Sequence, residues 1–202
     1  MTRPRRRAVS AAVAALLGLA VATAGCSGSD GGSDGGSDAG SGPSAASSSA
    51  TEHPVDTQVS WGTVTGKLPA AGRQRLAAKV REVVDGWTEA AYLGGDYPRR
   101  DFADSWPGFT PGAQEEARAD RALMSNEDIG ARIDGVDPYR SRVRIDVLAV
   151  HARPVGVTAH VALAFGTTGD LERDVRVEGR LYLTPTDHGW KVFAYDVTKG
   201  TT

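Results

Sequence analysis

Four histidines and a single cysteine make up the metal-binding and thiol chemistry of the chain: His53, His151, His160, His188 and Cys26. No His-x-x-x-His, Cys-x-x-Cys or His-Glu-x-x-His spacing occurs, so no metal site is predicted. No Gly-x-Ser-x-Gly elbow, phosphate loop or dinucleotide fingerprint appears either, so motifs predict no catalytic residue and no cofactor. One residue does have surroundings that point to chemistry, and it is Cys26. A lone cysteine is ordinarily a buried, inert thiol. Here it stands between the apolar run ending Val21-Ala22-Thr23-Ala24-Gly25 and a glycine-serine stretch, where there is no core to bury it. With no second cysteine there is no internal disulfide, so stability has to come from packing.

Upstream of Cys26, Arg3, Arg5, Arg6 and Arg7 precede an apolar run from Ala8 to Ala24. The run has the length of a signal-peptide core and is too short and too alanine-rich for a membrane span. Together these residues resemble the lipobox of bacterial lipoproteins, with Thr23 where that pattern prefers Leu, Val or Ile. The resemblance implies that residues 1–25 are a removable signal peptide and that Cys26 is lipidated and becomes the mature N-terminus. It also implies a protein held by acyl chains on the extracytoplasmic face of the cell membrane. Arg6-Arg7 leaves general secretion and twin-arginine export both open. Four of the 23 basic residues lie in the first 25 positions, which hold no acid, so from Cys26 onward 19 face 25 acids, net −6. That balance lacks the basic footprint of a nucleic-acid binder, and no nucleic-acid partner is predicted. Nor does net charge hold the chain to an anionic membrane; the acyl chains supply that attachment.

Residues 26–54 read as the lipidated cysteine and a tether. The Ser-Gly-Ser-Asp-Gly-Gly repeats and the Ser/Ala tract hold no large apolar residue to offset ordering entropy. Residues 55–202 are the length of one domain. Val59 to Thr65 is expected as a short strand or as an arm lying over an edge or face. Leu76, Val80, Val83, Val84, Trp87, Ala90 and Ala91 then recur at the spacing of one helix face, which Gly94-Gly95 ends. An aromatic turn holds Phe102, Trp106 and Phe109. Thr110-Pro111 reads as N-cap and first position of a second helix running to about Met124. Ser125 starts a further turn.

The last third changes to period 2. Val143–Ala149, Val157–Phe165, Val175–Leu183 and Trp190–Tyr195 alternate as four half-buried strands joined by short turns, an antiparallel meander. Gly179 breaks the beat and predicts a bulge or bend. Helices followed by a meander with one continuous apolar face make an α+β order. Over about Gly72 to Val197, this order and the closing Gly189-Trp190-Lys191-Val192-Phe193 strand resemble the NTF2-like (SnoaL-like, cystatin-like) roll. The resemblance implies a long helix and shorter helices on a curved antiparallel sheet of four or more strands. It also implies a cone between the layers, which some such proteins use for catalysis and others for ligands.

On the helix-facing side, strict alternation leaves two ionisable residues, His151 and Asp196, at opposite ends of the strands. At about 3.3 Å of rise per residue they stand roughly 20 Å apart, too far to share a proton transfer. Asp104 and Asp134 remain candidates for entering the cone. Trp87, Trp106, Phe109 and Trp190 are candidate pocket lining as well as candidate core. The opposite face mixes Arg142, Arg144, Arg176, Glu178 and Arg180 with Leu148, His160, Tyr182, Phe193 and Tyr195. The last five form a candidate interaction face, for a protein partner or a second copy, unless the arm around Trp61 covers it. The expected function is a non-catalytic interaction or assembly module of the cell envelope. A small apolar-ligand binder or an enzyme using the cone is the alternative.

Overall fold

The computed structural model describes residues 55–201. Cys26, the apolar run before it and the Gly/Ser/Asp segment after it lie outside the described residues. Strand β1 (Gln58–Thr65) opens the fold. Helix α1 (Ala70–Thr88) follows and runs into a π-turn at Glu89–Leu93. Next come α2 (Pro111–Ala119), the four-residue α3 (Arg121–Met124) and a 3-10 turn at Gly130–Arg132. Four long strands complete the chain: β2 (Gly135–Val150), β3 (Arg153–Thr168), β4 (Asp174–Thr186) and β5 (Gly189–Thr201). The fold is α+β, with one five-stranded mixed sheet in the order β1-β2-β3-β4-β5.

Strands β2 to β5 form the expected antiparallel meander, because period-2 apolar residues give each strand one face to bury. The strands run past the apolar core of each pattern, since ladder hydrogen bonds continue through polar residues. β1 pairs parallel to β2, with Gln58 opposite Arg142 and Thr65 opposite Leu148. It widens the sheet at one edge and does not cover a face. Trp61 lies in register with Ile145, so its side chain joins the rim of the core. Just before β1, Thr57 Oγ donates to Asp85 Oδ1 of α1 at 2.6 Å and shares a hydrogen bond with Ser141 Oγ at 2.7 Å.

The helices cover one sheet face. α1 buries Leu76, Val80, Val84, Trp87 and Thr88, and the π-turn buries Ala91 and Tyr92. The apolar core is drawn from residues 68–197, so the domain carries its own core. Thr110 caps α2 as expected, its Oγ1 accepting from the Ala113 amide. The second helix does not run on to Met124, because Asp120 leaves helical geometry (φ −100°, ψ 24°) and α3 starts anew.

Side chains take up the carbonyl oxygens of α3 and its cap in turn. Ser125 Oγ donates to Arg121 O, Tyr92 Oη to Leu123 O, and the indole nitrogens of Trp87 and Trp106 both donate to Met124 O. Lys199 of β5 donates to Ala122 O at 3.1 Å, Ser125 O at 2.7 Å and the Asp128 carboxylate. Its side chain is 9% exposed, and burial pulls the ammonium below its ordinary pKa.

Two expectations about β4 and β5 need correction. Gly179 is no bulge, since pairing passes through it without a register shift on either side. Its φ of 152° and the closeness of β5, where a Cβ would run into the Asp196 carbonyl oxygen, require glycine there. The bulge lies on β5 at Phe193: Leu183 pairs with Val192 and Tyr182 with Ala194. One extra residue turns every later side chain to the other face. Tyr195, Val197 and Lys199 therefore face the helices, and Asp196 faces away.

Replacing Lys199 with Met keeps the stem but removes all three hydrogen bonds from a buried site. Urea unfolding should show a loss of about 1–3 kcal/mol, and an unchanged midpoint would show that the clasp contributes nothing.

Candidate interaction surface

The centre of the helix-facing side is filled, while towards the end of β5 an open pocket of about 400 Å³ remains between α3 and the sheet, lined by Leu123, Ile129, Val175 and Lys199 among others. Trp87, Phe109 and Trp106 are 0%, 2% and 3% exposed, and Trp190 is half-buried against the same cluster. Trp87 meets Tyr92 edge-on at 5.5 Å and Phe109 at 6.1 Å, and Tyr92 meets Phe165 at 6.2 Å. Trp87, Trp106 and Phe109 are core side chains here, and Trp190 packs on the rim of the core. Neither candidate acid enters the space, since Asp104 and Asp134 are both exposed. His151 does not face the helices either. It occupies the turn between β2 and β3 with φ 48°, and Ala152 beside it has φ 60°.

The outer face is built by register. One row across the strands reads Arg144, His160, Arg180, Asp196, and the next reads Asp146, Thr158, Tyr182, Ala194. Arg180 and Asp196 approach to 3.8 Å at an exposed position, where an ion pair contributes little. Nearby, Asp146 closes a bulge in β1. Trp61 pairs with Ile145 and Val64 with Val147, so Gly62 and Thr63 both stand opposite Asp146. Its Oδ1 accepts from the Thr63 amide at 2.7 Å, and its Oδ2 meets His160 Nε2 at 2.7 Å. Gly62 makes room for this carboxylate, because a Cβ there would lie on top of Oδ1. The amide of Thr63, then His160, hold Asp146 below the usual carboxylate pKa. The ionised carboxylate only accepts, so Nε2 of His160 carries the proton. This pair resembles part of a catalytic constellation, yet Ser60, which heads the His160 row opposite Arg144, turns its hydroxyl to Val143 O at 3.5 Å and lies two strands from the imidazole. Its evident work is to fasten β1.

Of the five expected surface residues, four share the outer face. Leu148 and Phe193 are exposed there, at 48% and 51%, while His160 and Tyr182 are half-buried. The Tyr182 and Phe193 rings lie 6.4 Å apart. With Thr63, Thr65, Gly156 and Thr158 they line an open groove of about 440 Å³. Tyr195 is the exception. The bulge sends it to the helix side, where its ring lies 6.4 Å from Phe109 and its hydroxyl donates to Asp120 at 2.8 Å. Desolvation, then the Asp120 carboxylate, push its pKa well up. Val150, 46% exposed, extends the apolar end of the outer face, and Val155, 41% exposed, stands at the bulge beside the β2–β3 turn. Val155 was missed because Pro154 and Gly156 mark that segment as a turn, whereas it is the bulged residue of β3, between Gly156 paired with Leu148 and Pro154 paired with Ala149. Comparison with family models, with curated proteins and with solved structures finds no match to the chain.

The bulge makes two neighbouring aromatics behave differently. Tyr195→Glu should cost about 2–3 kcal/mol, because it puts a charge against the core beside Asp120. Phe193→Glu should stay within about 0.5 kcal/mol of the parent. Equal losses in thermal melts would place both side chains on one face.

Asp146 gives a pH test. A carboxylate held below its unfolded pKa stabilises the fold above about pH 4, and that stability is lost as pH falls through the lower folded value. Asp146→Asn should therefore melt below the parent at neutral pH, with the gap closing as pH drops towards 3. A gap independent of pH would remove the charge from the account.

Proposed function

We propose that the chain is an exported lipoprotein of the cell envelope, anchored through Cys26, whose domain is an NTF2-like roll that acts by binding rather than by catalysis. One observation carries the binding part. The centre of the space between helices and sheet is filled with aromatic side chains, while the outer sheet face leaves Leu148, Val150 and Phe193, and the β3 bulge beside it leaves Val155, each more than two-fifths exposed. Isolated exposed apolar residues are ordinary, but Leu148 and Phe193 line one open groove, and apolar side chains gathered in this way mark a contact surface. The order of helices and meander is compatible with the roll. The anchoring part rests on the arginine-rich start, the apolar run and Gly25-Cys26. Multiple acyl chains hold a protein stably at a membrane without help from charge.

Cys26→Ser is the test of anchoring. In cell fractionation the variant should leave the membrane fraction or accumulate as uncleaved precursor. A variant processed and membrane-held like the parent would rule out lipidation at this residue. Crosslinking in intact cells should then capture contacts through the outer face, and these should be lost on Phe193→Glu.

A further inference from the structure

Charge is unevenly distributed along the strands. At one end stand the β2–β3 turn, the β4–β5 turn, the last residues of β1 and the start of α1. β1 and β2 run parallel, so Lys67, just beyond β1, lies at the same end as Val150 and Arg153. Lys191 opens β5 there, opposite Thr184. Arg73 and Arg75 follow in the first turns of α1, whose first turn holds no acid. Lys67, Arg73, Arg75 and Arg153 are exposed, and Lys191 is partly so. Facing them, this end has Asp187 in the β4–β5 turn and Asp146, which is tied to Thr63 and His160. The other end of the same strands collects Asp134, Asp137, Asp170, Glu172 and Asp174, with Arg132 and Arg173 beside them.

The apolar surface keeps to the cationic end. Val150 and Val155 lie next to the β2–β3 turn, Leu148 one row inward, and Phe193 four residues past the start of β5. Protruding apolar side chains ringed by lysine and arginine match the layered chemistry of a lipid interface, with acyl carbon below and anionic headgroups around it. An acidic protein partner would use the cations but gains less from four aliphatic and aromatic tips. A second copy would bring like charges together.

We propose that this turn-bearing end of the sheet docks on anionic phospholipid, with Leu148, Val150, Val155 and Phe193 entering the headgroup region and the surrounding lysines and arginines meeting its phosphates. The proposal deepens the binding reading above and rests on it for the protein being near a membrane. Net charge of the whole chain hides this surface, because the acids gather at the far end. Lipid anchor and docking surface then act together, since an anchored domain meets the membrane at high effective concentration.

The test uses residues 50–202, which carry their own core and lack both the apolar run and any acyl chain. Sedimentation with vesicles of phosphatidylcholine, with and without an equal share of phosphatidylglycerol, measures docking free of the anchor. The protein should bind the anionic vesicles, ignore the neutral ones and be released at about 0.5 M salt. The triple variant Lys67→Glu, Arg153→Glu, Lys191→Glu should lower affinity by about a hundredfold. Leu148→Ser with Phe193→Ser, both at exposed positions, should weaken it by about tenfold with an unchanged melt. Equal binding to both vesicles, no binding, or variants that bind like the parent would overturn the proposal. A doubled mass in light scattering, abolished by Phe193→Ser without vesicle binding, would also overturn it and assign the face to a second copy. None of these outcomes alters the fractionation result for Cys26→Ser, so docking and anchoring fail separately.

Discussion

Five consecutive carbonyl oxygens, from Arg121 to Ser125, hold the two layers of this domain together. The end of a helix leaves such oxygens without intrahelical partners, and burying them bare would cost more than so short a helix can return. Each is taken by a side chain: Ser125, Lys199, Tyr92, and the indoles of Trp87 and Trp106 together. Apart from Ser125, the cap of α3 itself, the donors come from α1, the π-turn, the aromatic turn and the last strand. A four-residue helix with no stability of its own thus becomes the point where the large aromatic side chains of the core are oriented. The same hydrogen bonds explain why those aromatics fill the space between the layers. Their polar atoms are committed inward and their rings pack on one another.

That arrangement depends on one residue of β5. Without the bulge at Phe193, alternation would point Lys199 and Tyr195 away from the helices and leave Ala122, Ser125 and Asp128 without the ammonium. The bulge also leaves Phe193 itself on the outer surface, 51% exposed. A single insertion in the ladder therefore completes the interior and creates an apolar position outside. The polar links on the outer face have a different origin. Asp146 fastens β1 because glycine at position 62 lets a carboxylate into the gap.

Much of this was legible in the residues. Period-2 alternation of valine, isoleucine and leucine marks the four meander strands, and the buried face of α1 follows its 3.6-residue spacing through Leu76, Val80, Val84 and Trp87. The faces of Tyr195 and Asp196 were not legible. A bulge at Phe193 has no glycine or proline to announce it, whereas Gly179, which looks like one, serves a close backbone approach. Period counting assigns every residue after an unseen bulge to the wrong side. The parallel pairing of β1 was equally silent, since its partner lies more than eighty residues along the chain. Lys199 reads as a solvated residue near a terminus. Only the carbonyls it meets, brought there by the fold, make it structural. The candidate surface came through in outline, with four of five residues on the outer face, because exposed Leu148 and Phe193 interrupt an otherwise charged pattern.

The position of Thr57 has a mechanical meaning. Any pull on the chain ahead of Val55 reaches the domain at the start of β1, an edge strand joined to one neighbour. Hydrogen bonds of such a ladder, loaded from one end, peel in sequence and not together. Thr57 stands in front of the first of them, bonded to Asp85 of α1 and to Ser141 of β2, while Arg81 holds Asp56 at 3.0 Å. Tension is thereby passed to the helix before it reaches the ladder. The cluster works as a strain relief does on a cable: what is tugged is the cord, and the joint behind it stays closed.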